Sequence, residues 1–343
     1  MKGKILVTGG AGYIGSHTIV DLIQNGYEVI SIDNFSRSSV IALSGIKEIT
    51  GQEVNNYDTD LTDFNATRNI FVKHQNIIGV IHFAAYKAVE ESVFNPLLYY
   101  NNNLVTLINI LKCIEEFKIP NFVFSSSCTV YGNPDEVCVT ENTTQKTATS
   151  PYGVTKQMGE KIIQDFLINN TNTTAVLLRY FNPVGAHPSA LIGELPLGKP
   201  MNLVPAITQT AIGKLPILQV NGNDYNTKDG SCIRDYVHVC DIANAHTLAL
   251  NFLLDKKNDT NCQIFNLGTS CGISVLEAIY TFEKVTNQTL NYKIGQRRDG
   301  DVVAIYANNN LAVQKLGWQI KYNINDMMRT AWDWELHLNK LDK

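Results

Sequence analysis

Two residues in the run Ser150-Pro151-Tyr152-Gly153-Val154-Thr155-Lys156 could carry proton chemistry: Tyr152 and Lys156, four positions apart. On a helix that spacing puts both side chains on one face, a turn apart. A phenol with its ordinary pKa of ~10 is a poor base, and a neighbouring ammonium favours the phenolate. Alone, such a pair is common on exposed helices. The segment Phe124-Ser125-Ser126-Ser127-Cys128-Thr129-Val130-Tyr131-Gly132 sets this one apart, because a strand-like run ends in a serine cluster 25 residues upstream of Tyr152.

A second constellation lies near the N-terminus. The apolar run KILVT passes directly into Gly9-Gly10-Ala11-Gly12-Tyr13-Ile14-Gly15. Glycine at such positions allows a tight turn, close approach of backbone to a pyrophosphate, and close helix–strand packing. The helix that follows offers amide donors and a positive dipole end to phosphates. Asp33 comes 18 residues after Gly15, at the end of the run EVISI, where a carboxylate can accept hydrogen bonds from ribose hydroxyls. The same carboxylate repels a 2′-phosphate, which selects NAD over NADP, although Arg37 lies close enough to soften that repulsion. The positive charge of an oxidised nicotinamide would favour the Tyr152 phenolate in the same sense as Lys156.

The elements that must position these groups read as an alternation. Residues 4–7, 28–32, 80–83, 122–124 and 175–178 are short apolar runs, and 17–24, 64–74, 97–117 and 152–167 carry helical spacing between them. Nearly continuous apolar strands alternating with helices predict a parallel sheet covered on both faces. Right-handed crossovers then give a doubly wound parallel-sheet Rossmann domain in the α/β class. After Asn182-Pro183 the pattern loosens, and 183–205, rich in Gly and Pro, reads as loops lining a cleft. Further on, 236–239 and 263–267 read as strands, and 274–286 as a helix capped by Ser274 with Glu277 three residues later. The expected division is an NAD-binding Rossmann domain over 1–182 and a smaller C-terminal α/β substrate domain over 183–343, with later strands free to return to the main sheet.

Composition bounds the classes. With 44% hydrophobic and 17% charged residues in 343, the chain can bury a substantial core. A net charge of -4 argues against nucleic acid as a partner. No run approaches the ~20 apolar residues that span a membrane. The seven cysteines (Cys113, Cys128, Cys138, Cys232, Cys240, Cys262, Cys271) are scattered, and no secretory signal precedes them, which places the chain in a reducing, cytoplasmic setting. No Cys or Asp partner stands at ligand spacing from His17, His82 or His238, so no metal site is expected.

Taken together, the blocks VTGGAGYIGSHT, Asp33-Asn34, HFAAYKAVEESV, FSSSCTVYG, SPYGVTK, LRYFNPVGAHPS, GNDYNTKDG, IRDYVHV and RRDGD run through nearly the whole chain. In them the sequence resembles the extended short-chain dehydrogenases/reductases, and within that family the UDP-glucose (UDP-galactose) 4-epimerases. The resemblance implies an isomerase with tightly held NAD that is regenerated in each cycle. It implies Tyr152 as base, Lys156 as orienter of the cofactor that also lowers the Tyr152 pKa, and Ser127 as hydrogen-bond partner of the reacting hydroxyl. NAD contacts are then expected from Gly9, Gly12, Tyr13, Ile14, Gly15, Asp33, Asn34, Asp60, Leu61, Phe83, Ala84, Ala85, Lys87, Asn102 and Phe181, besides Tyr152 and Lys156.

The UDP-sugar substrate is expected to meet Lys87, Ser127, Tyr152, Asn182, Asn202, Leu203, Asn221, Arg234, Arg298, Asp301 and Ile305. Arginine suits a pyrophosphate because its planar fork binds two oxygens at once. Members of the family pair as homodimers through two helices, here 97–117 and 152–167. The rivals are a nucleotide-sugar 4,6-dehydratase, whose relatives carry Asp-Glu just after the catalytic hydroxyl residue, and a non-catalytic NAD-binding regulator. Here Cys128-Thr129 stand at the Asp-Glu position. As the next residue along a strand, Cys128 is expected to point away from Ser127 as a small buried hydrophobe.

Two positions depart from the family pattern. Ile305 stands where a bulky Tyr accompanies plain hexoses and smaller residues accompany tolerance of an N-acetyl group, so UDP-N-acetylglucosamine is expected as a substrate beside UDP-glucose. Asn221 stands near the uracil where relatives commonly have Phe, so an amide replaces a packed ring.

Overall fold

Ile5, Leu6 and Val7 are fully buried, and each such side chain stabilises the fold by about 1.5–3 kcal/mol relative to exposure. Three successive buried residues require a strand covered on both faces. In the computed structural model, which describes residues 2–298 and 302–341, that strand is β1 (Lys4–Thr8). It leads through α1 (Tyr13–Gln24), β2 (Glu28–Ile32), α2 (Ile41–Thr50), β3 (Asn55–Tyr57) and α3 (Phe64–Lys73) to β4 (Ile77–His82). Next come α4 (Val89–Phe94), α5 (Pro96–Glu116), β5 (Asn121–Ser125), a 3-10 turn over Cys128–Tyr131, β6 (Cys138–Val139), α6 (Pro151–Asn169) and β7 (Thr174–Tyr180).

The second half is made of shorter pieces. They are β8 (Asn182–Val184), α7 (Leu203–Ala211), β9 (Leu218–Asn221), β10 (Ile233–Arg234), β11 (Tyr236–His238) and α8 (Val239–Leu254). The chain then passes through β12 (Cys262–Leu267), β13 (Ile273–Ser274), α9 (Val275–Thr286), β14 (Tyr292–Gly295), β15 (Ala304–Ala307), α10 (Asn310–Leu316) and α11 (Ile324–Leu341).

Seven parallel strands form the main sheet in the order β12-β7-β5-β4-β1-β2-β3. Side chains of β1 alternate between its faces: Ile5 and Val7 join one apolar cluster with Ile19, Val123 and Ile242, while Leu6 joins another with Val80, Phe122 and Ile110. The strand order reverses between β1 and β4, and at such a crevice open α/β sheets bind ligands beyond the carboxyl ends of their strands. Residues 262–267, well past position 182, add a strand to this sheet by pairing with β7 over Cys262–Ala175 to Leu267–Tyr180.

Beside it, β13, β10, β15 and β6 form a small sheet, and β8–β11 and β9–β14 are two-stranded pairs. A third apolar cluster, including Val204, Ile207, Phe282 and Met328, packs α7, α9 and α11 together. The capping box foreseen at Ser274 and Glu277 is present at the start of α9. The reading of 183–205 as loops is corrected at both ends. Asn182–Val184 pairs with Tyr236–His238. Leu203 starts a helix whose Pro205 lies in the first turn, where a missing N–H costs no intrahelical bond.

Candidate active site

The glycine turn is shaped by space. Gly9 has φ +69°, a left-handed conformation that L side chains rarely adopt. A Cβ on Gly9 would sit 2.8 Å from the Ala84 amide nitrogen, one on Gly12 3.1 Å from the Gly9 carbonyl, and one on Gly15 2.2 Å from that same oxygen. The helix begins at Tyr13, earlier than the periodicity suggests, and no side chain caps its N-terminus. Its first-turn amides therefore stand at the mouth of this cradle, the arrangement that receives a pyrophosphate. The residues present fit a dinucleotide.

Asp33 follows β2 and ties the turn together. Its Oδ2 accepts from the Ala11 amide at 3.0 Å, and its Oδ1 accepts from the Phe35 amide at 3.0 Å and Ser38 Oγ at 2.7 Å. A carboxylate oxygen can accept two bonds, so Oδ2 keeps capacity for a ribose hydroxyl. Arg37 is held by Glu91 at 2.6 Å and lies 4.7 Å over the Tyr86 ring, which leaves the repulsion of a 2′-phosphate by Asp33 largely unsoftened.

The other expected cofactor contacts lie in segments that follow strands of the same sheet or flank the crevice. Asn34 stands directly after Asp33 and accepts from the Ser36 amide. Asp60 accepts from Thr62, and Leu61 is buried beneath it. Phe83 and Ala84 continue β4 and donate to Thr8, with Ala85 and Lys87 just beyond. Asn102 lies on α5 and donates to Asn103, which itself donates to the Tyr86 carbonyl and Thr155 Oγ1. Phe181, directly after β7, is buried.

Ser150 caps α6 by accepting from the Gly153 amide at 3.2 Å, and Pro151 supplies a preset first turn. Tyr152 and Lys156 then stand on one face, 8% and 4% exposed. Lys156 donates to the Ser125 carbonyl at 2.6 Å, and its Nζ lies 5.9 Å from the centre of the Tyr152 ring. Ser127, 7% exposed, follows β5 in extended backbone.

Burial decides the protonation of the pair. It raises the Tyr152 pKa well above the ordinary phenol value; Tyr180 pushes the same way, and a hydrogen bond with Ser127 opposes. Burial outweighs the lowering expected from Lys156. For Lys156, burial lowers the pKa to about 8, opposed by the carboxylate of Glu160. The Tyr180 hydroxyl, hydrogen-bonded to Ser125 Oγ, is a neighbour that the sequence reading did not single out.

Cys128 requires a correction. Strand β5 stops at Ser125 and the chain turns into a 3-10 helix at Cys128, so the two-residue alternation never reaches it. The thiol hydrogen-bonds with Ser127 and feels Arg234 and Asp235, while burial pushes its pKa up to about 12. It faces the site, protonated and poorly nucleophilic.

Several of the expected substrate residues lie on or beside the small sheets and α7. Arg234 on β10 pairs in register with Ile305 on β15, and its Nη1 donates to the Ile233 and Val302 carbonyls. Ile305 is buried, in one cluster with Val130, Tyr180 and Phe181. Asn221 ends β9 opposite Gly295 on β14, and Arg298 follows β14 at the surface. Asn182 opens β8, and Asn202 and Leu203 open α7. Asp301 lies outside the described residues.

Glu194, also unforeseen, accepts from Lys87 at 2.8 Å and from Asn202 at 2.6 Å, and so bridges an expected cofactor residue to an expected sugar residue. No group of three or more His, Cys, Asp or Glu among the described residues is placed to hold a metal ion.

The family model described as GDP-mannose 4,6 dehydratase matches residues 6–331. The UDP-glucose 4-epimerase of Dictyostelium discoideum is 47% identical over 97% of this chain and 95% of its own. The chain belongs to the UDP-glucose 4-epimerase family of extended short-chain dehydrogenases/reductases. Among solved members of the family, the UDP-glucose 4-epimerase of Stenotrophomonas maltophila, crystallised with NAD and formylated UDP-arabinopyranose, has a TM-score of 0.95 at 43% identity, covering 99% of both chains. The Bifidobacterium longum enzyme, crystallised with NAD+ and UDP, has a TM-score of 0.92 at 43% identity, covering 97% of this chain and 98% of its own. This family member thus carries the parallel-sheet α/β fold that its sequence implied. None of its helices, among the described residues, is long and apolar enough to cross a membrane.

Proposed function

We propose that the protein interconverts UDP-glucose and UDP-galactose by NAD-dependent 4-epimerisation. The observation that carries this reading is the burial of Tyr152, Lys156 and Ser127 together, beside a glycine cradle shaped for a dinucleotide. Gly9, Gly12, Gly15 and the first turn of α1 would hold the cofactor's diphosphate, and Asp33 a ribose. NAD, when bound, accepts a hydride from the sugar C4 and gives it back.

Tyr152 removes the proton of the C4 hydroxyl and later returns it, and Ser127 hydrogen-bonds that oxygen. Burial keeps the free hydroxyl protonated, so the positive charge of Lys156 is needed nearby to favour the phenolate that accepts the sugar's proton. Arg234 and Arg298 grip the diphosphate, which leaves the hexose free to turn and present its other face. Binding energy is thereby placed away from the reacting centre.

Epimerisation of UDP-galactose without added NAD is the test. Turnover is expected, and absence of turnover with NAD supplied would overturn the reading. A 4,6-elimination needs an acid–base pair beyond the catalytic hydroxyl, whereas positions 128 and 129 hold a protonated thiol and a threonine.

The proposal extends to the N-acetylated sugars. Ile305 replaces a larger ring at the position that closes over C2, and UDP-N-acetylglucosamine is expected to be converted as well. Ile305→Tyr should lower that conversion on the order of 10- to 100-fold, since overpacking costs about 1–3 kcal/mol, with UDP-galactose turnover retained. Equal loss on both sugars would remove Ile305 from specificity.

A homodimer and a cytoplasmic setting complete the reading. Phe94 and Leu97 are 75% and 80% exposed where α4 meets α5, and Met158 and Ile168 are exposed on α6. Apolar surface gathered in this way suits a protein partner. The seven free cysteines suit a reducing compartment. Phe94→Glu with Leu97→Glu should halve the mass measured by analytical ultracentrifugation, whereas an unchanged mass would exclude this face.

A further inference from the structure

Lys156 is buried among groups that give it little reason to stay charged. From β4 it is faced by His82, a largely neutral imidazole whose pKa burial lowers to about 3; from its own helix by Tyr152 and Glu160. From β5 come the Phe124 ring, 4.8 Å from Nζ, and the Ser125 carbonyl. Tyr180 on β7 and Cys128 in the 3-10 turn lie around the neighbouring Tyr152, and both are held protonated by burial. Among these groups Glu160 supplies the negative charge.

Glu160 is 2% exposed and stands one turn beyond Lys156 on α6. Its Oε1 accepts from Ser126 Oγ at 2.5 Å and from Arg179 Nε at 2.8 Å; its Oε2 accepts from Arg179 Nη2 at 2.6 Å and from Gln145 Nε2 at 3.1 Å. Arg179 lies on β7 and also donates to the Tyr131 hydroxyl, which in turn donates to Asn266 on β12. One carboxylate therefore joins the helix that carries Tyr152 and Lys156, the serine segment that carries Ser127, and strand β7. A buried ion pair gives little net stability compared with apolar packing, so its persistence here suits a task other than holding the core together.

We propose that Glu160 is a positioning residue that keeps Lys156 protonated and fixes the serine segment against α6. The proposal rests on the epimerase reading, and it deepens that reading by naming what sustains the charge beside Tyr152. Removing the carboxylate withdraws the opposition to burial, so the ammonium gives up its proton at lower pH and turnover fails at lower pH.

The test is the alkaline limb of kcat in the NAD-loaded enzyme, together with direct titration of Lys156. Titration is read from the Cε resonance of 13C-labelled lysine, assigned by its loss in Lys156→Met. Wild-type turnover with UDP-galactose tests the epimerase reading; the variants test Glu160. For Glu160→Gln the limb and the Lys156 titration should both move down by about one pH unit, a factor of about ten in the proton equilibrium, with NAD content unchanged. Glu160→Asp, which keeps the charge, should restore most of the shift.

The single change to Gln strands a buried guanidinium. The double variant Glu160→Gln with Arg179→Met removes both charges, and it should still move the titration downward. If wild type turns over, and either folded variant leaves both the limb and the Lys156 titration in place, Glu160 is only structural and the proposal fails.

Discussion

Replacing Tyr152 by Phe should lower turnover by about 10²- to 10⁴-fold, the range that a positioned acid–base group contributes, and leave NAD in place. The ring stays on α6 at the same depth, so packing against the surrounding apolar groups is kept. Only the hydroxyl proposed to exchange a proton with the sugar is lost. The glycine cradle lies in the turn between β1 and α1 and in the first turn of α1, which the substitution does not alter. Steady-state conversion of UDP-galactose and the NAD released on denaturation are the two measurements. Near-normal conversion would end the assignment of Tyr152 as base, and loss of NAD with activity would make the defect one of cofactor retention.

Substituting Gly15 by Ala should empty the cofactor site. A Cβ there meets the Gly9 carbonyl oxygen at 2.2 Å and the Gly10 Cα at 3.0 Å, and both are backbone atoms that cannot swing aside. Either the turn opens or α1 withdraws, and in each case the amides proposed to hold the diphosphate leave their places. The affinity for NAD should fall about 5- to 150-fold, as follows from a strain of about 1–3 kcal/mol placed on the binding geometry, and the NAD retained after purification should fall with it. Gly26→Ala is the comparison for backbone strain away from the cradle: its φ of +86° is one that L side chains rarely adopt, nothing lies within 4 Å of its added Cβ, and it should purify with NAD. Full occupancy in Gly15→Ala would mean that the turn is not the diphosphate cradle.

The parts of this molecule legible in its sequence are those where one local rule has one outcome. Continuous apolar runs gave the long inner strands, and Ser274 with Glu277 marked a helix start that the structure confirms. Tyr152 and Lys156 were readable because helical spacing alone brings them together.

The illegible parts depend on partners far along the chain. Strands β10 and β13 have two residues each, too few to show a period, and they exist because Arg234 finds Ile305 and Ile273. Glu160 and Arg179 are 19 residues apart on a helix and a strand, and nothing local announces their pairing. The facing of Cys128 was misread because strand alternation was carried three residues past the strand's end. Burial, which raises the Tyr152 pKa, is not visible in the sequence, whereas a charge four residues away is.

The edge position of β12 has a consequence for how the chain is made. Strand β7 ends at Tyr180 and its outer neighbour begins at Cys262. At about 5–20 residues per second, a ribosome needs on the order of 4–16 s to deliver that neighbour after β7 has emerged. During this interval the fully buried surface of Ala175, Val176, Leu177 and Leu178 borders a row of unpaired backbone groups open to any other strand. The newborn protein therefore passes through a window in which a strand with four fully buried apolar residues is a bare edge. Crowding by neighbouring nascent chains during that window is then expected to lower the yield of native protein.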